Sequence, residues 1–174
     1  MNNLAQTENY LSQKVRRMLD NLLEPALVII ISVLVVAVLW QVFSRYVLQA
    51  PSTVTDELAR FLLIWLTLLG AAWVVGQKGH LAIDLLSDQL SPPKAIFLSR
   101  LLLLLMAIFA IGVLIIGGLN LVQITLTLEQ TSTVLQLPMG YIYLALPVSG
   151  IFIVAYCVCL ALAPMDEQTQ KEIQ

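Results

Sequence analysis

The sequence predicts an all-α integral membrane fold with four transmembrane helices, an N-terminal interfacial amphipathic helix and a short interfacial helix between helices 2 and 3. Three observations predict it. Of 174 residues, 59% are apolar and only 11% charged, with a mean hydropathy of +0.89; an ordinary soluble domain is about a quarter charged. Uncharged runs of membrane length recur along the chain. Each run is bounded by proline, clustered hydroxyls or charge. The formal net charge is -2 and the basic residues are scattered, so there is no basic stripe of the kind that neutralises phosphates, and nucleic acid is excluded as a partner.

Residues 10–24 place Leu11, Val15, Met18, Leu19, Leu22 and Leu23 at helical spacing, opposite Gln13, Lys14, Arg17, Asp20 and Asn21. That pattern suits a helix lying at the membrane surface, with membrane lipid as its partner. The segment is too polar for a signal peptide and no small-x-small cleavage site follows the first apolar run, so it is expected to be retained. Pro25 suits the first turn of a helix, and Ala26 to Phe43 carries no charge. Helix 1 is therefore expected over 25–48, with Arg45 snorkelling and Tyr46 at headgroup level. Pro51 ends it. Thr53 with Asp56 three residues later reads as a capping-box-like start, and helix 2 is expected over 55–76, with Asp56 and Glu57 favoured by the helix dipole. Ala72 and Gly76 form a small-xxx-small pair that admits a neighbouring helix, although glycine is common in membrane helices in any case. Trp65 and Trp73 lie on nearly one stripe, which reads as lipid or helix contact.

Beyond helix 2, His80, Asp84 and Asp88 share one face of an amphipathic stretch and Ile83, Leu86 and Leu90 the other, the pattern of a short interfacial helix. Ser91, Pro92 and Pro93 punctuate it. Helix 3 is expected over 95–122, its core from Leu101 to Leu119 free of polar side chains. Thr131, Ser132 and Thr133 mark a loop. Helix 4 is expected over 139–163, kinked by Pro147 with Gly150, and residues 164–174 form a tail. Bases precede helix 1 and lie between helices 2 and 3 (Lys78, Lys94, Arg100), whereas the loop between helices 3 and 4 has none; both termini should therefore face the cytoplasm.

The charged residues that bound helix 2 are the candidates for chemistry. Asp56 and Glu57 lie four and three residues before Arg60, and Arg45 can reach the same cluster. A substrate or proton site is one reading, because charges within membrane segments are functional candidates by default. The other is structural, with carboxylates neutralising arginines within the chain or across to a partner. Position at the membrane edge favours the structural reading. His80 is the only histidine, so no histidine metal set or catalytic triad can be assembled; a loop histidine paired with Asp84 is the plain alternative to a proton relay. Cys157 and Cys159, two apart in an apolar run, read as inert thiols. A membrane enzyme would need a nucleophile, a metal set or a redox pair, and no cofactor site is expected. A self-sufficient multidrug-type exporter would need a mid-membrane acid, and none of the four runs contains one. An accessory or scaffold subunit is what these exclusions leave.

The series Arg45, Thr55-Asp56-Glu57-Leu58-Ala59-Arg60, Trp65, Leu69-Gly70-Ala71-Ala72, Gly79-His80-Leu81-Ala82-Ile83-Asp84, Leu137-Pro138 and Leu146-Pro147-Val148 resembles the small membrane subunit of tripartite ATP-independent periplasmic (TRAP) transporters. The resemblance covers about residues 25–163. It implies a bacterial inner-membrane complex in which a large membrane subunit carries the sodium and substrate sites and moves elevator-fashion. A soluble periplasmic binding protein would deliver an organic acid such as sialic acid or a C4-dicarboxylate, and the small subunit would enlarge the stationary scaffold. In that setting Arg45, Asp56, Glu57, Arg60, Trp65, Gly70, Trp73, His80 and Asp84 are expected to be structural or interface residues, with no catalytic, substrate or metal role. Reporter fusions test the orientation: cytoplasmic signals are expected from both termini, and an external C-terminus overturns the assignment.

Overall fold

The computed structural model of the chain describes residues 2–50, 52–77 and 92–162. The described residues are helical apart from the connections, with α1 (Asn2–Tyr46), α2 (Thr53–Gly76), α3 (Pro92–Phe109), a π-helical segment (Ala110–Gly117), α4 (Gly118–Thr127), α5 (Met139–Tyr143) and α6 (Ala145–Leu162). Four stretches are long and apolar enough to cross a membrane: Gln13–Tyr46, Thr53–Gly76, Phe97–Thr127 and Met139–Ala161. This is the four-span, all-α membrane architecture that the sequence predicts. The interfacial helix expected around His80 and Asp84 lies outside the described residues, as does the tail from 164.

The N-terminal stretch is helical, but it is the beginning of α1 and not a separate helix ending before Pro25. Pro25 sits inside one helix of 45 residues, roughly 65 Å at 1.5 Å per residue. A proline inside a helix removes a single backbone bond, here the one to the Asn21 carbonyl. Against that loss, Leu19, Leu23, Leu27 and Ile30 form one continuous stripe along α1, with Leu23 buried in the core and the other three packed against it. Continuity of that stripe through Pro25 accounts for the unbroken helix.

The third span also runs further than the sequence suggests, from Pro92 to Thr127, because its polar residues do not end it. The Thr125 and Thr127 hydroxyls donate back to the carbonyls of Leu121 and Gln123, both at 2.8 Å, so they are satisfied within the helix. The helix stops at Leu128 in a Schellman arrangement, with the Gln130 N–H on the Thr125 carbonyl, the Glu129 N–H on that of Leu126, and Glu129 at φ 49°. The π-helical segment, eight residues long, lies mid-span where α6 approaches most closely. A Cβ on Gly150 would meet Leu114 and Ile115 at 2.9 Å, and one on Gly118 would meet Leu146 and Pro147 at 2.9 Å.

The fourth span is interrupted at Leu144, three residues before Pro147. Proline offers no N–H, so the carbonyl left without its helical donor is that of Tyr143, four residues back. The bonds on either side persist, Leu144 N–H to Gly140 and Val148 N–H to Leu144. The break therefore falls one turn ahead of the residue that causes it.

α2 packs between α1 and α6. Ala72 is fully buried, and Gly76 lies beneath the ring of Tyr156, whose own exposure is 0%. A Cβ at Gly76 would come within 2.4–2.6 Å of that ring, whereas a Cβ at Gly70 would meet nothing within 4 Å. The small-xxx-small pair Ala72–Gly76 thus serves a helix contact inside this chain. Gly76→Ala should destabilise the protein in detergent by about 1–3 kcal/mol through overpacking, despite a helix-propensity gain of up to about 1 kcal/mol. Gly70→Ala should leave stability unchanged or slightly raised. Thermal unfolding of the two variants side by side checks both, and equal melting temperatures would show that the Tyr156 contact is unimportant.

Candidate functional site: polar braces at the two ends of the bundle

Among the described residues, the side-chain hydrogen bonds that join one element to another gather at two levels, one where α2 begins and one where it ends. At the first, Ser52 caps α2: its hydroxyl accepts from the Thr55 N–H at 3.5 Å, and its carbonyl accepts from the Thr55 hydroxyl at 3.1 Å. The cap is thus Ser52, one residue earlier than the capping-box reading of Thr53, which becomes the first helical residue. Ser44, 2% exposed near the end of α1, accepts from the Ser52 N–H at 3.4 Å and donates to the Gln41 carbonyl at 3.0 Å. The short connection between α1 and α2 is tied to both helices by these two serines.

Asp56 and Glu57 follow one turn later, and their side chains part. Asp56 turns to α1, where its Oδ1 accepts from Gln41 Nε2 at 2.7 Å, while its Oδ2 accepts from Arg60 on its own helix. Glu57 points the other way, to the loop between α4 and α5. There its Oε2 accepts the backbone N–H of Leu135 at 2.7 Å and of Val134 at 3.1 Å, and Oε1 accepts the Thr133 hydroxyl at 3.4 Å. The loop itself is a small hairpin-like closure, with Ser132 N–H on the Leu137 carbonyl, Met139 N–H on the Gln130 carbonyl, and Gln136 at φ 56°. Its tip amides face outward from that closure, and the Glu57 carboxylate satisfies them.

At the opposite level, Tyr156 on α6 donates its hydroxyl to Asp20 on α1 at 2.7 Å, with Arg16 4.0 Å from the same carboxylate. A buried phenol needs a partner for its O–H, and Asp20 is placed to accept because α1 is unbroken through Pro25. Leu23, 1% exposed, and Gly76 complete the contact. One brace therefore joins α1, α2 and the α4–α5 loop at one end, and the other joins α1, α2 and α6 at the far end.

Of the residues singled out in the sequence, the structure brings Asp56 and Arg60 together and separates Glu57 from them. Arg45 is exposed and, among the described residues, has no ion-pair partner within 4 Å. Trp65 and Trp73 are half-buried and pack against the core, and the indole N–H of Trp73 lacks a hydrogen-bond partner among the described residues. Gly70 faces open space. His80 and Asp84 fall outside the described residues. Sequence reasoning passed over Gln41, Tyr156 and the amides of Val134 and Leu135. Gln41 carried a signal, as one of two polar residues in an apolar run, and so did Tyr156, a hydroxyl that must find an acceptor; the backbone amides carried none.

These braces and spans define a class, a four-helix membrane protein whose edge charges join its own elements. The family model "Tripartite ATP-independent periplasmic transporters, DctQ component" matches residues 34–165. The chain belongs to this DctQ family of TRAP transporter small permease subunits. It is 30% identical over 139 residues to the sialic acid TRAP transporter small permease protein SiaQ of Vibrio cholerae, covering 80% of this chain and 79% of that one. With the C4-dicarboxylate TRAP transporter small permease protein DctQ of Rhodobacter capsulatus it shares 37% over 95 residues, 55% of this chain and 41% of that one. With the isethionate TRAP transporter permease protein DctMQ of Oleidesulfovibrio alaskensis it shares 31% over 100 residues, 58% of this chain but 16% of the much longer relative.

The Glu57 brace yields a local test. Glu57→Ala leaves two backbone amides without their acceptor, at about 1–3 kcal/mol for each that stays buried. Hydrogen exchange at Val134 and Leu135 is expected to accelerate by at least about tenfold, which corresponds to 1.4 kcal/mol, while amides in the middle of α2 keep their protection. Unchanged exchange at the loop tip would show that Glu57 does not hold it.

Proposed function

We propose that this chain is the small, stationary membrane subunit of a TRAP transporter in a bacterial inner membrane, supporting sodium-coupled uptake of an organic acid by a large partner subunit. The substrate would arrive on a periplasmic binding protein. The observation that carries the reading is the placement of the carboxylates. Asp20, Asp56 and Glu57 each hold one element of this chain to another at a membrane edge, a use suited to a rigid scaffold. Family membership supports it, and so does the relative named DctMQ, in which the matched region is a small part of a longer permease chain. The names of the relatives, with sialic acid, C4-dicarboxylate and isethionate, support organic acids as the substrate class. Residues that choose among them would lie in the partners. No catalytic role is assigned to the chain.

In this reading the Tyr156 end of the bundle, beside Lys14, Arg16 and Arg17, faces the cytoplasm, and the Asp56 end faces the periplasm. The edge residues Arg45, Asp56, Glu57 and Arg60, together with Trp65, Gly70, Trp73, His80 and Asp84, serve structure and assembly.

Purification of the tagged chain from its host membranes in mild detergent is expected to bring down a large multi-span protein. In proteoliposomes that complex, given the binding protein, should accumulate an organic acid under an inward sodium gradient, and the large chain alone should do so at least several-fold more slowly. Full uptake by the large chain alone would remove the scaffold role. A lone monomer or homodimer that moves cationic compounds would remove the whole assignment.

A further inference from the structure

The outward surfaces of the four spans differ in kind. On α1 the exposed positions from Val28 to Phe43 are almost all large and apolar, including a shallow groove lined by Val36, Leu39, Trp40 and Phe43. Such a surface suits lipid tails. α2 is the least apolar of the four spans by hydropathy. Its exposed face presents Arg60, Leu63, Thr67, Ala71 and Val74 in one line, at the three- and four-residue spacing of a single helix side. Gly70 borders this line with open space before it, and nothing among the described residues fills the notch. Small and hydroxyl-bearing residues on a membrane-facing side let another backbone approach closely, whereas lipid tails gain nothing from them.

Charge points the same way. The Arg60 side chain is 74% exposed, and its single hydrogen bond among the described residues goes to Asp56, whose other oxygen is taken by Gln41. A guanidinium carries further donors, and at this exposure they are open to a partner from outside the bundle. Arg45 lies within electrostatic reach of the same carboxylate and has no ion-pair partner of its own among the described residues, while Glu57 is occupied by the loop amides. Two guanidinium groups thus share one carboxylate. Arg60 sits about two turns along α2 from the Ser52 cap, near the membrane edge, where an exposed guanidinium gains from a second charged acceptor.

We infer that the Arg60–Leu63–Thr67–Ala71 face of α2 is the surface on which a transmembrane helix of the large partner subunit packs, with a carboxylate of that helix opposite Arg60. The inference rests on the function proposed above and adds to it the place of contact. The partner helix would lie in the notch at Gly70, and its acid would balance the second guanidinium at this edge. α1 and the outer side of the third span would remain in contact with lipid.

Photocrosslinking in the intact complex tests it. A photoreactive phenylalanine analogue is placed at Leu63 or Thr67 on α2, at Val36 or Phe43 on α1, or at Ile108 or Ile116 on the third span, in the tagged chain expressed in its host. Adducts with the large subunit are expected from positions 63 and 67 and not from the other four. Arg60→Glu should cut recovery of the large subunit at least tenfold while the small chain keeps its helical content, and Arg60→Lys should recover part of it. A reversed acid-to-arginine change at the crosslinked site of the partner should restore recovery with Arg60→Glu. Adducts from 36, 43, 108 or 116 alone would overturn the assignment of this face and leave the proposed function standing, as would phospholipid adducts at 63 and 67 in a complex that still contains the large subunit. A small chain that purifies alone would overturn both.

Discussion

Asp56 and Glu57 are neighbours on one helix, and an α-helix turns by about 100° between neighbours. Their carboxylates therefore leave α2 in different directions and reach different parts of the chain. Asp56 meets Gln41 of α1, and Glu57 meets the amides at the tip of the α4–α5 loop. One turn of α2 sets the position of the first span and of the connection into the fourth. The far end is set by a second contact of the same kind, in which Tyr156 of α6 reaches Asp20 of α1 across the end of α2. A helix held at both ends in this way makes the bundle a braced frame.

Such bracing matters more in a bilayer than in water. Lipid tails are as apolar as leucine side chains, so burial of leucine and valine between spans contributes little to the choice of partner helix. Close packing and hydrogen bonds make that choice instead. The bundle uses both: Ala72 and Gly76 let α6 approach α2, Gly118 and Gly150 let α6 approach the third span, and the polar braces lie at the ends, where charged groups keep access to water and headgroups. The π-helical turn falls at the crossing of Gly150 with Leu114 and Ile115, where the third span accommodates α6.

Much of the fold was legible because hydropathy and helix punctuation are local properties. The run from Ala26 to Phe43, the serine and threonine residues before Asp56 and the apolar core from Leu101 to Leu119 each announce a span without reference to any other residue. Pro147 announces an interruption on the same footing. Reading failed where a local signal was weighed without its tertiary context. Pro25 reads as a helix start, yet the stripe Leu19, Leu23, Leu27 and Ile30 carries α1 through it. Helix 3 reads as ending near 122, where its apolar core gives way to polar residues, yet the third span continues to Thr127. The π-helical segment had no signal at all, since Ala110 to Gly117 is uniformly apolar and offers no period to read.

The same division holds at the site. By itself the sequence determined that carboxylates and guanidinium groups stand at the membrane edge of helix 2, that the middle of every span is free of ionisable groups, and that the chain is a membrane-embedded helical protein, because composition and spacing along one helix decide those points. Tertiary structure alone decided which charge meets which group. Arg60 stands at i+4 from Asp56 and i+3 from Glu57, and both spacings permit an ion pair, so sequence distance does not discriminate between them. The loop amides of Val134 and Leu135, 77 and 78 residues away, take Glu57, and Asp56 is left to Arg60 and Gln41. That outcome depends on where a distant hairpin comes to rest, which only packing of the four spans determines.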